Sequence, residues 1–241
     1  MPSFRSAPVD RRMIQVGWLN KSIFAVVCTI LALCSVPPMA QENRTQVFDF
    51  EKTAVNTVPA GFQTGMTGDW KATEWAVKAI SGNQVMAHTG YWNEDPDGVF
   101  PLCWVKKSKA RDLTLSVRLF AVSPPSDLPG AIHDGAGIVV RLINPDNYYL
   151  LRAVPHESRV RLYKVVNGRR FTLAGKNLEV QTDRWHVLGL KVSGSRFTAY
   201  LNGNRLFRHR DITFKNAGAF GLWSKPNNVT YFDDLTSEVS D

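Results

Sequence analysis

The chain has 241 residues, 44% of them hydrophobic and 11% aromatic, and a formal net charge of +8. That supply of apolar side chains suits one sizeable core. The basic residues are scattered without a Lys/Arg tract, which argues against a nucleic-acid partner.

The first forty residues differ from the rest. Ile23 to Val36 is an uncharged apolar run of fourteen, preceded by Arg5, Arg11, Arg12 and Lys21 and followed by Pro37, Pro38, Met39 and Ala40. A basic start, a short apolar run and a small residue at its end read as a secretory signal over residues 1–40. The run is shorter than the ~20 residues a membrane-spanning helix needs, so no stable span is expected. Met13 is an alternative start that would shorten the leader. Export to the periplasm or the exterior follows, and a mature chain from Gln41 keeps +5 of the charge. Cys28 and Cys34 fall in the leader, so residues 41–241 hold only Cys103. This part can form no internal disulfide and must stand on its core.

From Gln41 onward, short runs of β-branched and aromatic residues alternate with turn clusters, and no amphipathic helix interrupts them. Segments near Val47–Phe50, Trp70–Val77, Gln84–His88 and Phe100–Val105 come first. Asp112–Val122 places Leu113, Leu115, Val117 and Leu119 on one face. Gly137–Ile143 and Tyr148–Val154 flank Asn144-Pro145-Asp146-Asn147, a turn cluster. Arg159–Val166 ends at Asn167-Gly168, a strong hairpin signal, and Phe171–Ala174 returns. Trp185–Val192, Arg196–Leu201, Arg205–His209, Ala219–Ser224 and Thr230–Thr236 complete the chain. Roughly twelve short strands with regular turns predict an all-β domain of two stacked antiparallel sheets.

The order of several segments resembles the concanavalin A-like (laminin-G-like) jelly-roll sandwiches, near the secreted 3-keto-disaccharide hydrolase domain proteins. The segments are Phe48-Asp49-Phe50-Glu51, Gly68-Asp69-Trp70, Ala136–Arg141 with Asn147–Arg152, Phe197–Gly203, Gly218–Trp223 and Tyr231–Leu235. The resemblance implies a single jelly-roll domain over residues 41–241. It is less specific for activity, because this fold carries lectins, glycosidases, lyases and adhesion modules.

Three sites are expected. In jelly rolls of this kind a first strand and an Asp-Asp last strand often share a structural Ca²⁺, which points to Asp49, Glu51 and Asp234, or Asp233 in its place. A sugar groove needs flat rings for stacking and forked polar groups for hydroxyls. Arg141, Tyr148, Arg152 and Lys164 come from successive strands, with Trp92, Trp104 and Trp223 for stacking and His156 and Glu157 on the next loop. Structural ion pairing is the competing reading of the two arginines. For catalysis, the Glu-x-Asp-x-x-Glu triplet of retaining glycosidases is missing. If the chemistry of the keto-disaccharide hydrolases carried over, Glu157 would be the base and Arg141 or Arg152 would hold the enediolate. The leading expectation is a monomeric carbohydrate-binding sandwich with a groove on its concave face. A keto-disaccharide or glycoside hydrolase or lyase is the alternative, and an adhesion module that binds no sugar is the third.

Overall fold

A computed structural model describes residues 44–69, 74–90, 98–123, 135–226 and 228–240. The expected leader over residues 1–40, Trp70 and Trp92 lie outside these residues. Fifteen strands follow in chain order: β1 (Arg44–Phe48), β2 (Phe62–Thr67), β3 (Trp75–Ile80), β4 (Asn83–Gly90), β5 (Phe100–Val105), β6 (Asp112–Ala121), β7 (Ala136–Asn144), β8 (Asn147–Val154), β9 (Arg159–Val166), β10 (Arg169–Asn177), β11 (Trp185–Ser193), β12 (Arg196–Leu201), β13 (Asn204–Arg210), β14 (Ala219–Ser224) and β15 (Asn228–Ser240). β2 has no counterpart among the expected strands, because Gly65 and Thr67 weaken its alternation.

The strands form two antiparallel sheets. One has eight strands in the order β13-β12-β11-β6-β15-β4-β3, with β1 added to β15. The other has seven, in the order β10-β9-β8-β7-β14-β5-β2. Three hairpins turn as their residues require. Ser81-Gly82, Asn167-Gly168 and Asn202-Gly203 all take positive φ at both positions. Such a pair matches the right-handed twist of the flanking strands. Between β7 and β8, Asn144 Oδ1 accepts from the Asp146 amide and from Asn147 Nδ2, each at 3.0 Å. That local bond is the usual reason asparagine opens a turn.

The main core lies between the sheets. Leu113, Leu115, Val117 and Leu119 face Ile138, Tyr149, Leu151, Leu162 and Leu222, and Cys103 is buried among them. Burying a side chain of this size stabilises the fold by about 1.5–3 kcal/mol. The strictly alternating burial of β6 is what its sequence predicts. The seven-stranded sheet behaves differently. Its outer face carries a second apolar cluster with Phe100, Leu102, Tyr148, Leu150, Tyr163 and Trp223. Apolar residues on both faces explain why β8 reads Asn-Tyr-Tyr-Leu-Leu-Arg-Ala-Val without alternation.

Two bulges bear on the expected sites. Arg141 takes φ 49° where the β7–β8 register shifts after Val140. The extra residue breaks the period of two, so Arg141 follows Val140 inward and Leu142 turns outward. Asp234 takes φ 49° where the β15–β6 register shifts after Asp233. Here β15 passes from β4, paired as far as Phe232, to β1, paired from Leu235.

Candidate functional site

The residues expected to share one groove are divided between the two faces of the seven-stranded sheet. Arg141 is an inward tie and not a groove residue. It donates to the carbonyls of Arg111 (2.9 Å) and Phe214 (2.8 Å), to the Gly194 carbonyl (2.5 Å) and to Asp112 Oδ1 (3.2 Å). It is 2% exposed, with its guanidinium 5.7 Å from the Phe197 ring. Lys164 also lies on the inner side, opposite Tyr149, and donates to Asp211 Oδ2 (3.1 Å) and Thr213 Oγ1 (2.8 Å).

Tyr148 and Arg152 lie on the outer face but are sealed there. The Tyr148 hydroxyl bonds Thr67 Oγ1 at 2.7 Å, and burial pushes its phenol well above the ordinary value. Trp223 is buried, its ring 5.3 Å from Phe100, with the Arg152 guanidinium 5.2 Å from the ring centroid. Arg170 sits 4.7 Å from Phe100 and 5.0 Å from Tyr163. These cation–ring contacts occupy the faces a sugar would use. Trp104 is half-buried and lies across Gly65, where a Cβ would come within 2.9 Å of the ring.

The remaining expected residues are also dispersed. Glu157 pairs with Arg159, and the two arginines named as its partners point to opposite sides of the sheet. Glu51 docks on the β3–β4 hairpin through the Gln84 amide (3.0 Å), Asp49 accepts from the Glu51 amide (3.3 Å), and Asp234 is paired with Arg118 (3.1 Å). Among the described residues no group of three His, Cys, Asp or Glu side chains comes together to hold a metal. The bulge at Asp234 explains the separation, since it aims that carboxylate at β6.

An open site does form on the outer face of the eight-stranded sheet. Phe120 on β6, Trp185 on β11 and Tyr231 on β15 are cross-strand neighbours. Their rings make a shelf, with centroids 5.4 Å apart for Phe120–Trp185 and 6.0 Å for Phe120–Tyr231. The shelf floors a pocket of about 460 Å³. The β3–β4 hairpin gives one wall through Ile80, Ser81 and Asn83, and Arg118 gives the polar edge. Arg118 lies 4.8 Å from the Trp185 ring centroid. Its Nη1 is shared between Asp233 Oδ2 (3.2 Å) and Asp234 Oδ2 (3.1 Å). Asn83 Nδ2 donates to Asp233 Oδ2 at 2.9 Å, and the Asp234 amide donates to Asp233 Oδ1 at 2.8 Å. Burial raises the Asp233 carboxyl above its ordinary value despite these bonds. A concave site with half-exposed rings, a few convergent polar groups and a perturbed carboxyl beside it has the makings of a binding site.

A second, more polar depression of about 750 Å³ begins one residue away. It is lined by His156, Glu179, Gln181, Asp183 and Arg184, among others. Arg184 donates to Gln181 Oε1 (2.8 Å), and Gln181 donates to Glu179 Oε1 (3.2 Å). Of the expected groove residues that are described, His156 alone borders either depression. The sequence carries a signal for the shelf. With Leu119 and Phe232 inward, strict alternation places Phe120 and Tyr231 outward, where a large ring is costly unless it is covered or used.

No protein-family model matches the chain, and a search of curated proteins finds no match. Solved structures do resemble it. The carbohydrate-binding module CBM66 from Bacillus subtilis aligns with a TM-score of 0.58 at 16% identity, covering 74% of this chain and 95% of that one. The cellulose-induced protein Cip1 aligns with a TM-score of 0.59 at 9% identity, covering 80% and 96%. Domain 4 of AbnA, an extracellular arabinanase from Geobacillus stearothermophilus solved with arabinotriose, aligns with a TM-score of 0.52 at 12% identity, covering 83% and 94%. At these identities the likeness shows the fold alone, an antiparallel two-sheet β-sandwich.

Proposed function

We propose that this domain is a carbohydrate-binding module and that it binds an oligosaccharide across the Phe120–Trp185–Tyr231 shelf. The observation that carries the reading is the shelf itself. Three half-exposed rings line one pocket beside an arginine fork and an asparagine amide. Sugar rings present flat C–H faces that stack on aromatic planes, and their hydroxyls need both donors and acceptors. Arg118 and Asn83 supply donors, the half-exposed Asp234 carboxylate supplies an acceptor, and the buried Asp233 holds the two donors in place. Because those four side chains already hold one another, the polar edge is set before ligand arrives, which lowers the cost of ordering it. The polar depression at Gln181 and Arg184 continues the path for a second sugar unit. The fold likeness to a carbohydrate-binding module and to an arabinanase domain supports the same reading.

The test is calorimetric titration with a panel that includes arabinotriose and cello-oligosaccharides, in the wild type and in Tyr231→Ala and Asn83→Ala. At least one sugar should bind, and each substitution should weaken it by about tenfold, or ~1.4 kcal/mol. No binding of any sugar at millimolar concentration, or binding that both variants retain unchanged, would overturn the proposal.

A further inference from the structure

The same outer face carries an arginine cluster at its far corner. On β12 and β13, Arg196 is paired with Arg210 and Thr198 with Arg208. Arg196, Arg208 and Arg210 are exposed, and with His209 they line a depression of about 480 Å³. None of these three arginines has a carboxylate partner among the described residues. Like charges placed directly opposite on paired strands weaken the pairing. Charges on an edge strand often serve to block sheet-to-sheet aggregation. That purpose accounts for β13, which is an edge, but not for Arg196, because β12 is an interior strand. The residues are arginines, whose planar fork matches carboxylate and sulfate groups in pairs.

We infer that this corner binds the anionic groups of an acidic polysaccharide, a polyuronate or a sulfated glycan, whose chain runs on to the aromatic shelf. This rests on the shelf reading. The corner and the shelf lie on one surface. From Trp185 to Ser193, which pairs with Arg196, β11 runs eight residues. That is about 26 Å along the strand, with about 10 Å more across to β13. Between them the outward positions are Val187, Gly189 and Lys191 on β11 and Tyr200 on β12. The glycine keeps the path low, and the lysine and tyrosine add a cation and a ring. A span of this size suits a polymer and not a single sugar. A polyuronate offers free hydroxyls beside its carboxylate on every residue, and the half-exposed Asp234 at the shelf end is an acceptor for them, whereas the repeating unit of DNA has no free hydroxyl to give.

The experiment measures binding of polygalacturonate, its methyl-esterified neutral form and single-stranded DNA. The proteins are the wild type, the triple variant Arg196→Gln/Arg208→Gln/Arg210→Gln, and Trp185→Ala. The triple variant should bind polygalacturonate about tenfold more weakly and with a flatter salt dependence, while its thermal midpoint does not fall and its binding of the neutral form is unchanged. Trp185→Ala should weaken both polymers. Unchanged polygalacturonate binding in the triple variant overturns the inference. DNA binding as tight as polygalacturonate binding, lost in the same variant, also overturns it in favour of a general polyanion site. Loss in the triple variant with full binding in Trp185→Ala would refute the shelf and leave the arginine corner standing.

Discussion

Replacing Arg141 by methionine separates a structural tie from a ligand contact. The guanidinium bonds four acceptors, the carbonyls of Arg111, Phe214 and Gly194 and the carboxylate of Asp112. They belong to segments flanking β6, joining β11 to β12 and following β13, so one side chain joins the seven-stranded sheet to three parts of the opposite layer. Methionine fills similar volume but leaves these acceptors without their donor. Removing one partner from a buried charged network costs about 3–5 kcal/mol. For a domain of this size about 1 kcal/mol shifts the midpoint by 2–4 °C, so a fall of about 6–20 °C is expected. Arg141→Lys should lose nearly as much, because one ammonium cannot reach four acceptors in the plane of a fork. Circular dichroism melts at neutral pH measure the shift, and calorimetry at a temperature well below the midpoint measures sugar affinity. The variant should be destabilised yet bind sugar as the wild type does. A midpoint within about 2 °C of wild type together with lost binding would refute the assignment.

Other outcomes follow from the same geometry. Burial alone would raise the Asp211 carboxyl, but hydrogen bonds from Thr213, Tyr149 and Lys164 outweigh it and pull the value to about 2 from 3.8. The stabilisation is present above pH 3.8 and lost as the pH falls through 2, and it amounts to about 2 kcal/mol. The stability gap between wild type and Asp211→Ala, measured by urea unfolding at pH 5, should therefore close toward pH 2; a gap independent of pH would contradict it. Gly221→Ala should be strongly destabilising, by at least ~2 kcal/mol, because its Cβ would strike the Cys103 carbonyl and Trp104. A melt within error of wild type would show that the sheet relaxes there. Cys103 is buried and its thiol pushed far up by burial, so it should resist Ellman's reagent until the domain unfolds. Rapid labelling of the native protein would contradict that burial.

The fold was legible because period-two patterning is strong wherever one face of a strand meets water. β6 and the Asn-Gly turns are the clearest instances. The groove was less legible, for two physical reasons. The first is the bulge at Arg141, since a single extra residue reverses the parity of everything after it and leaves no trace in composition. The second is that both faces of β8 are buried, so alternation cannot say which side Arg152 or Tyr148 occupies. The sequence offers Trp104 and Trp223 as stacking planes, yet the structure places them in glycine-lined and cation-capped packing. The shelf gathers Phe120, Trp185 and Tyr231 from positions far apart in the chain, and only strand order brings them side by side. That order is set by β15 lying between β4 and β6, which local sequence does not encode.

The most direct measurement compares the dissociation constant of one bound oligosaccharide in wild type, Trp185→Ala and Trp104→Ala. Trp185→Ala should weaken binding by about thirtyfold, ~2 kcal/mol, as for a central aromatic contact, while Trp104→Ala stays within about twofold. The reverse pattern, full affinity without the Trp185 ring and loss without the Trp104 ring, would place the sugar on the seven-stranded sheet and contradict the shelf.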